Sequence, residues 1–219
     1  MTESKFSKDP KKFTLLGQGA LAADILDVHP DAGCINFFVE KEFYNPSKYI
    51  IKNIPTIFNF SDVSTPFYLL GVGDNTLRKQ FINAASQNGL SPFPALTSQA
   101  RFISPYTSIG EGTVFGFNTI IERNVSIGQH CLLMHNVMIS HDVTIGSNVI
   151  IAPGVIIEGN AMIGDNVFIG ANVSIAPNVK IGSNCHIALG SACFKNVPES
   201  KTVIGNPAKV IQTIKPLIS

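Results

Sequence analysis

Charge is scarce in this chain. Only 14% of its 219 residues are charged, and the net charge is +1. Bulk electrostatics therefore gives a nucleic-acid partner no footing, and an anionic ligand would need a local basic site. Long apolar runs are also missing. No stretch approaches the roughly 18 unbroken apolar residues of a membrane span. The opening "MTESKFSKDPKKF" has no apolar core of the signal-peptide kind, so no secretory leader is expected. Cysteines are few: Cys34, Cys131, Cys185 and Cys193, with no C-x-x-C spacing and no disulfide framework. Free thiols in a reducing cytoplasm are expected. What is plentiful is hydrophobic residues, 45% of the chain. That excludes a disordered chain and allows one large domain or two small ones.

From Phe102 the sequence falls into hexads without insertion: FISPYT, SIGEGT, VFGFNT, IIERNV, SIGQHC, LLMHNV, MISHDV, TIGSNV, and eight more ending in ACFKNV. The second position is Ile in 13 of 16 hexads; Phe115, Leu133 and Cys193 replace it. The fifth is Asn, Gly or Asp in 14 of 16, the exceptions being Tyr106 and His130. Asn, Gly and Asp tolerate a left-handed backbone at low cost, so a tight turn every six residues is expected. The sixth position is mostly Val, Thr, Ala or Cys, small enough to share an interior with the isoleucines. Neither a 3.6-residue nor a 2-residue period fits sixteen consecutive windows. The lattice predicts a parallel β-helix. Its end coils would expose unpaired strand edges that need covers; the preceding domain and the tail after Val197 are available.

Residues 13–100 read differently. "FTLLGQGALAADILDV" predicts a strand, a glycine turn and a helix. "INFFVE" predicts a second strand ending at Glu40. "FYLLGVGDNTLRKQFINAASQNG" predicts a third strand, a turn at Gly71 and Gly73, and a second helix. This is a small Rossmann-like βαβ unit with a parallel sheet. Pro92 and Pro94 place its boundary. Gly17, Gly19 and Ala22 fit G-x-G-x-x-[G/A], with Glu40 at a dinucleotide-like interval. The unit has about half the length of a two-lobed dinucleotide fold. Two plain strand-to-helix turns, or a mononucleotide site at a helix N-terminus, fit as well. The organisation expected is a polar arm at 1–12, a nucleotide-sugar-binding α/β domain at 13–100, a β-helix at 101–197 and a tail at 198–219.

This arrangement resembles the hexapeptide-repeat sugar acyltransferases of the sialic-acid O-acetyltransferase type. Within them it is most similar to the bacterial UDP-4-amino-sugar N-acetyltransferases of bacillosamine synthesis. The resemblance covers about residues 13–210. It implies a left-handed helix of three hexads per coil, hence just over five coils. It implies a nucleotide-sugar site framed by Gly17, Gln18, Gly19, Glu40 and the "GVGDNTLR" turn with Gly71, Gly73, Asn75 and Arg78. Two positions depart from the family pattern: Ala20-Leu21-Ala22 stands where a Gly-His-Gly-like continuation is common, and Glu40 stands where Asp is usual.

"ISHDVTIG", Ile139 to Gly146, matches the family motif around its general base and so assigns that role to His141. The residue chemistry agrees. His141 is the fourth residue of its hexad, beside the turn, so its side chain should point outward. An imidazole, with a reference pKa of about 6.5, can take a proton near neutral pH. Asp142 either orients the ring, as in triad logic, or serves only the turn. Gly159, 18 residues on, either carries the family's oxyanion-holding N–H or merely relaxes a corner. His135 shares the fourth position one hexad earlier and should sit on a neighbouring edge, solvated or packed. His130, His186 and His29 read as structural or loop residues.

The final "GNPAK", Gly205, Asn206, Pro207, Ala208 and Lys209, resembles the signature closing many hexapeptide acyltransferases. The resemblance implies acetyl-coenzyme A as co-substrate, near these residues and Gly159, Ala171 and Ala188, with Lys209 or Lys195 available to a phosphate. It also implies a homotrimer with active sites between subunits. The expected activity is acetyl transfer to the amino group of a nucleotide-linked 4-amino-4,6-dideoxy sugar, UDP-linked, in cytoplasmic glycan or O-antigen synthesis. No metal, nucleic acid or membrane is expected to take part. Transfer to a sugar hydroxyl is the nearest alternative. A zinc enzyme of the carbonic-anhydrase type would need a third histidine near 94–99, which is absent. A non-catalytic scaffold would leave the His-Asp pair unexplained.

Overall fold

A computed structural model describes residues 11–41, 44 and 54–211. Most of the polar arm and the last residues of the tail, 212–219, lie outside this set. The chain divides into two compact units between Pro94 and Ala95.

Among the described residues the first unit is a five-stranded parallel sheet with two α-helices and a short 3-10 turn at Phe60–Asp62. In chain order its elements are β1 (Lys12–Leu16), α1 (Ala20–Val28), β2 (Gly33–Phe38), β3 (Thr56–Ile57), β4 (Phe67–Leu70), α2 (Asn75–Gln87) and β5 (Ser91–Pro92). The strand order is β3-β2-β1-β4-β5. The order reverses between β1 and β4, which opens a crevice beyond their carboxyl ends. Central strands read as apolar runs because a parallel sheet is covered on both faces: Phe13, Leu15, Leu16, Phe37, Leu69 and Leu70 are buried.

Three expectations change here. β2 ends at Phe38, two residues before Glu40. Two short strands, β3 and β5, carry too little periodicity to be read from sequence. Pro92 does not break the sheet but belongs to its edge. The ladder there uses the N–H groups of Ser91 and Phe93, donating to Pro66 and Tyr68 carbonyls at 2.8 and 2.9 Å, so the ring nitrogen is not needed.

The second unit is a three-faced prism of two-residue strands. Each strand pairs in parallel with the one 18 residues away, as Met138–Ile139 does with Ile120–Ile121 and Ile156–Ile157. One face runs from Ser108–Ile109 to Lys180–Ile181, the second from Val114–Phe115 to His186–Ile187, and the third from Phe102–Ile103 to Ala192–Cys193. Second-position residues stack inside: Ile121, Ile139, Ile157 and Ile175 are fully buried, as are Phe115 and Leu133 in the same role. Sixth-position Val137, Val143, Val149 and Val155 fill the space between them.

Every fifth position from Gly112 to Gly190 has a positive φ, between 54° and 73°. His130 also adopts this conformation, with φ 58°, so the lattice overrides side-chain preference there. The ends are closed. Leu96 bridges to Val114 at one end. At the other, Thr202–Ile204 extends the second face and pairs antiparallel with Lys209–Ile211. Residues from Ala95 belong to the prism unit, so the division falls beside Pro94.

Candidate functional site

Fourth and fifth hexad positions stack into columns along the prism edges. One edge carries Arg123, His141, Gly159, Pro177 and Lys195 at fourth positions, and Asn124, Asp142 and Asn160 at fifth positions. The imidazole of His141 is 56% exposed, with Nδ1 2.8 Å from Asp142 Oδ2. With Nδ1–H donated to the carboxylate, the ring's lone pair is on Nε2. Asp142 has φ 60°. It therefore makes the turn and orients the ring at once.

Its carboxyl is held below the ordinary aspartate range. The largest cause is the hydrogen bond from the Asn124 amide, followed by the one from His141, with the charges of His141 and Arg123 adding to it. Asn124 Nδ2 donates to Asp142 Oδ1 at 3.0 Å. Glu122 Oε2 accepts the His141 backbone N–H at 3.0 Å, and Glu158 Oε2 accepts the Ser140 hydroxyl at 3.4 Å. The Arg123 guanidinium lies 3.8 Å from the centre of the Tyr106 ring.

Gly159 lies directly against the imidazole. A Cβ there would stand 2.8 Å from His141 Cε1 and 2.9 Å from Nε2. Its N–H has no acceptor among the described residues, whereas the equivalent N–H groups of Gln129, Ser147 and Asp165 are taken by side chains of the next coil. His141, Asp142 and Gly159 thus converge.

His135 sits on a different edge, where its Nδ1 accepts the Phe117 N–H at 3.1 Å and its ring stacks on Phe117. His186 stacks on Phe168, and burial lowers its pKa. His130 and His29 are buried.

Of the residues assigned to the acyl carrier, Gly159 and Lys195 lie on the His141 edge, and the others form a second patch, on the edge between the second and third faces. Gly190 N–H donates to the Ala171 carbonyl at 2.8 Å, and Ala188 N–H to Val203. Gly205 to Ala208 forms the turn of the terminal hairpin. Ala192 N–H donates to the Gly205 carbonyl, and Ala208 N–H donates to the Ala192 carbonyl. Asn206, Pro207 and Lys209 are exposed, and so is Lys195 on the His141 edge. One chain therefore places this patch across the third face from His141.

In the α/β unit, the two glycine turns meet at the crevice. Gly17 has φ 111°, and a Cβ on it would strike Val72 Cγ1 at 2.6 Å. Its N–H donates to the Phe38 carbonyl, and that of Gly71 to Leu16. Gly71 has no space for a Cβ either, with Ala22 Cβ 2.8 Å away. Packing alone requires glycine at these two positions. Gly19 faces open space, and a Cβ on Gly73 would meet only Leu21 Cδ2, at 3.8 Å. Gly19 caps α1 without a side-chain hydrogen bond, which leaves the helix N–H groups for an anion. Gln18 is half-buried, Glu40 is exposed beyond β2, and Asn75 begins α2. Arg78 is 1% exposed, and its Nη1 donates to the Val72 carbonyl at 3.0 Å. It braces the turn from within.

The four cysteines are free. Burial pushes Cys34 up to about 12 and Cys193 to about 11, and raises Cys185 as well. These three are poor nucleophiles at neutral pH. Among the described residues no three His, Cys, Asp or Glu side chains cluster as metal ligands. No described helix is long and apolar enough to cross a membrane.

Residues 124–159 and 160–191 match the bacterial transferase hexapeptide family, and 106–141 match the hexapeptide repeat of succinyl-transferase. No curated protein matches the chain. Among solved structures it is similar to a mutant of perosamine N-acetyltransferase from Caulobacter crescentus in complex with CoA and GDP-perosamine (TM-score 0.83, 19% identity, covering 92% of this chain and 97% of that one). It is also similar to the acetyltransferase domain of PglB from Neisseria gonorrhoeae in complex with acetyl coenzyme A (TM-score 0.80, 22% identity, 92% and 99% covered). WeeI from Acinetobacter baumannii is a third relative (TM-score 0.78, 19% identity, 91% and 100% covered). Residues 106–191 are thus hexapeptide repeats, 124–191 of them matching the bacterial transferase model, and the chain has these proteins' fold, a short α/β unit followed by a left-handed parallel β-helix.

Proposed function

We propose that this protein transfers acetyl from acetyl-coenzyme A to the amino group of a nucleotide-linked amino sugar, with His141 as general base. The observation that carries this is the exposed His141–Asp142 pair, 2.8 Å apart, lying over Gly159. Nε2 takes a proton from the attacking amine while Asp142 stabilises the imidazolium. The nitrogen attacks the thioester carbonyl, and the N–H of Gly159 is free to steady the oxyanion. Such a donor contributes about 3 kcal/mol. The thiolate then leaves. No acyl-enzyme is invoked, which agrees with the raised thiols.

Two things favour an amine over a hydroxyl. The fold relatives include a perosamine N-acetyltransferase holding GDP-perosamine. Glu122 and Glu158 also flank His141, and together with Asp142 they make this edge attractive to an ammonium group before it loses its proton.

The Gly17, Gly19 and Gly73 turns with Gln18, Glu40 and Asn75 are assigned to the nucleotide. Its base stays a choice between UDP, our expectation from sequence, and GDP, as in the relative. Ala171, Ala188 and residues 205–209 are assigned to coenzyme A. Because that patch lies on a different edge from His141, a homotrimer sharing each groove between copies would bring the two together. A reducing cytoplasm suits the free thiols.

The test is a panel of UDP-, dTDP- and GDP-linked 4-amino sugars and their hydroxyl counterparts with acetyl-coenzyme A, followed by thiol release. Release with amino sugars alone is expected. Equal release with the hydroxyl counterparts points to O-acetylation. No release and no acetyl-coenzyme A binding contradicts the proposal.

A further inference from the structure

The turns of the prism carry asparagine ladders. On two edges these are amide-to-amide rungs: Asn118 Nδ2 donates to Asn136 Oδ1 at 2.9 Å, and Asn148 to Asn166 at 3.0 Å. On the third edge the upper member is an aspartate. Asn124 Nδ2 donates to Asp142 Oδ1 at 3.0 Å, and Asp142 Oδ2 accepts from His141 Nδ1 at 2.8 Å. Both carboxylate oxygens are therefore committed, one to the ladder and one to the imidazole.

A carboxylate on an exposed turn would otherwise rotate about its own bonds, and side-chain freedom of this kind opposes a fixed ring. The rung below removes that freedom. Asn124 has φ 59°, so its backbone is fixed by the same turn that it decorates. Gly159 bounds the ring on the other side. The base is thus aimed by a stack three coils deep. The charged groups around it are Asp142, Arg123, Glu122 and Glu158.

We propose that Asn124 is a positioning residue for His141, acting through Asp142, so that a structural ladder of the β-helix doubles as the support of the general base. This rests on the functional reading above. Support of this kind orients the groups that do chemistry, and its loss costs about 10- to 100-fold at comparable sites. Asn124 never touches substrate in this scheme, so its removal acts on turnover and not on binding.

The experiment uses the full chain with its best acceptor from the panel. Asn124→Gly keeps the left-handed turn, since Gly112, Gly154 and Gly190 occupy the same position natively, and deletes only the amide. We expect kcat to fall at least about tenfold, with KM for both substrates within about twofold. We also expect the acid limb of kcat/KM to move, because the carboxylate paired with the base loses its Asn124 donor. Asn148→Gly breaks a like rung on another edge and should match wild type, which separates aiming from turn stability. Wild-type kcat and an unmoved limb in Asn124→Gly, alongside an inactive His141→Ala, overturn the positioning role alone. An active His141→Ala overturns the functional reading, and this inference with it.

Discussion

The two units express their sequences in opposite ways. In the prism, position within a hexad dictates direction: second residues point in, fifth residues turn, fourth residues face out. One translation of about 4.8 Å per coil then stacks every eighteenth residue into a column. In the α/β unit no such lattice exists. Element order was legible there from strand–Gly–helix punctuation, but side-chain destinations depended on long-range packing. Gly17 and Gly19 look alike in sequence, yet one is wedged against Val72 and the other faces open space. Arg78 looks like surface charge in sequence, yet it is buried and braces the Gly71–Gly73 turn from within. A repeat carries three-dimensional addresses in its sequence, and a sheet with helices carries only the order of its parts.

The largest contrast to test lies at Gly159. Its backbone is not in the left-handed region, so alanine is allowed there, but the new Cβ would displace the His141 ring. Gly159→Ala should lose about 100-fold in kcat, the cost of a roughly 1 Å misplacement, with an unchanged circular-dichroism melt. Near-normal turnover would show that the ring has other ways to reach the substrate.

The α/β counterpart is the Gly17 and Gly19 pair. Gly17→Ala meets both a positive φ and Val72, and should cost about 2–3 kcal/mol in urea unfolding. Gly19→Ala should leave stability within about 0.5 kcal/mol and raise KM for the nucleotide sugar, with KM for acetyl-coenzyme A unmoved. Equal stability losses in both would erase the distinction between a wedged glycine and one that faces open space.

The smallest effect is alkaline. Cys34 and Tyr68 in the α/β unit both have pKa values of about 12 because burial disfavours their anions. A raised folded pKa gives stability that is fully present below the unfolded value, 9.0 for a thiol, and is lost as pH rises toward the folded value. Urea midpoints should therefore decline above about pH 9, and less steeply in Cys34→Ala. An identical slope in the variant would mean that the thiol carries none of this dependence.

How much of the site was legible follows the same division. His141, Asp142 and Gly159 were found because a hexad motif and an 18-residue offset locate them. Glu122, Arg123, Asn124 and Glu158 obey the same offset, and the columns 123–141–159 and 124–142–160 could have been read from sequence. They were missed because charged residues and asparagines at turns look like solvated surface and turn formers when taken singly. β3 and β5, at two residues each, had no periodicity to show.

In the proposed reaction the prism presents one exposed imidazole, His141, as the proton acceptor for an acetyl-accepting amine. Turnover of His141→Ala with acetyl-coenzyme A and the preferred amino sugar tests it most directly. A loss of at least about 1,000-fold in kcat is expected, within the range of general-base catalysis, with acetyl-coenzyme A still bound and the melt unchanged. Wild-type turnover in that folded variant would contradict it.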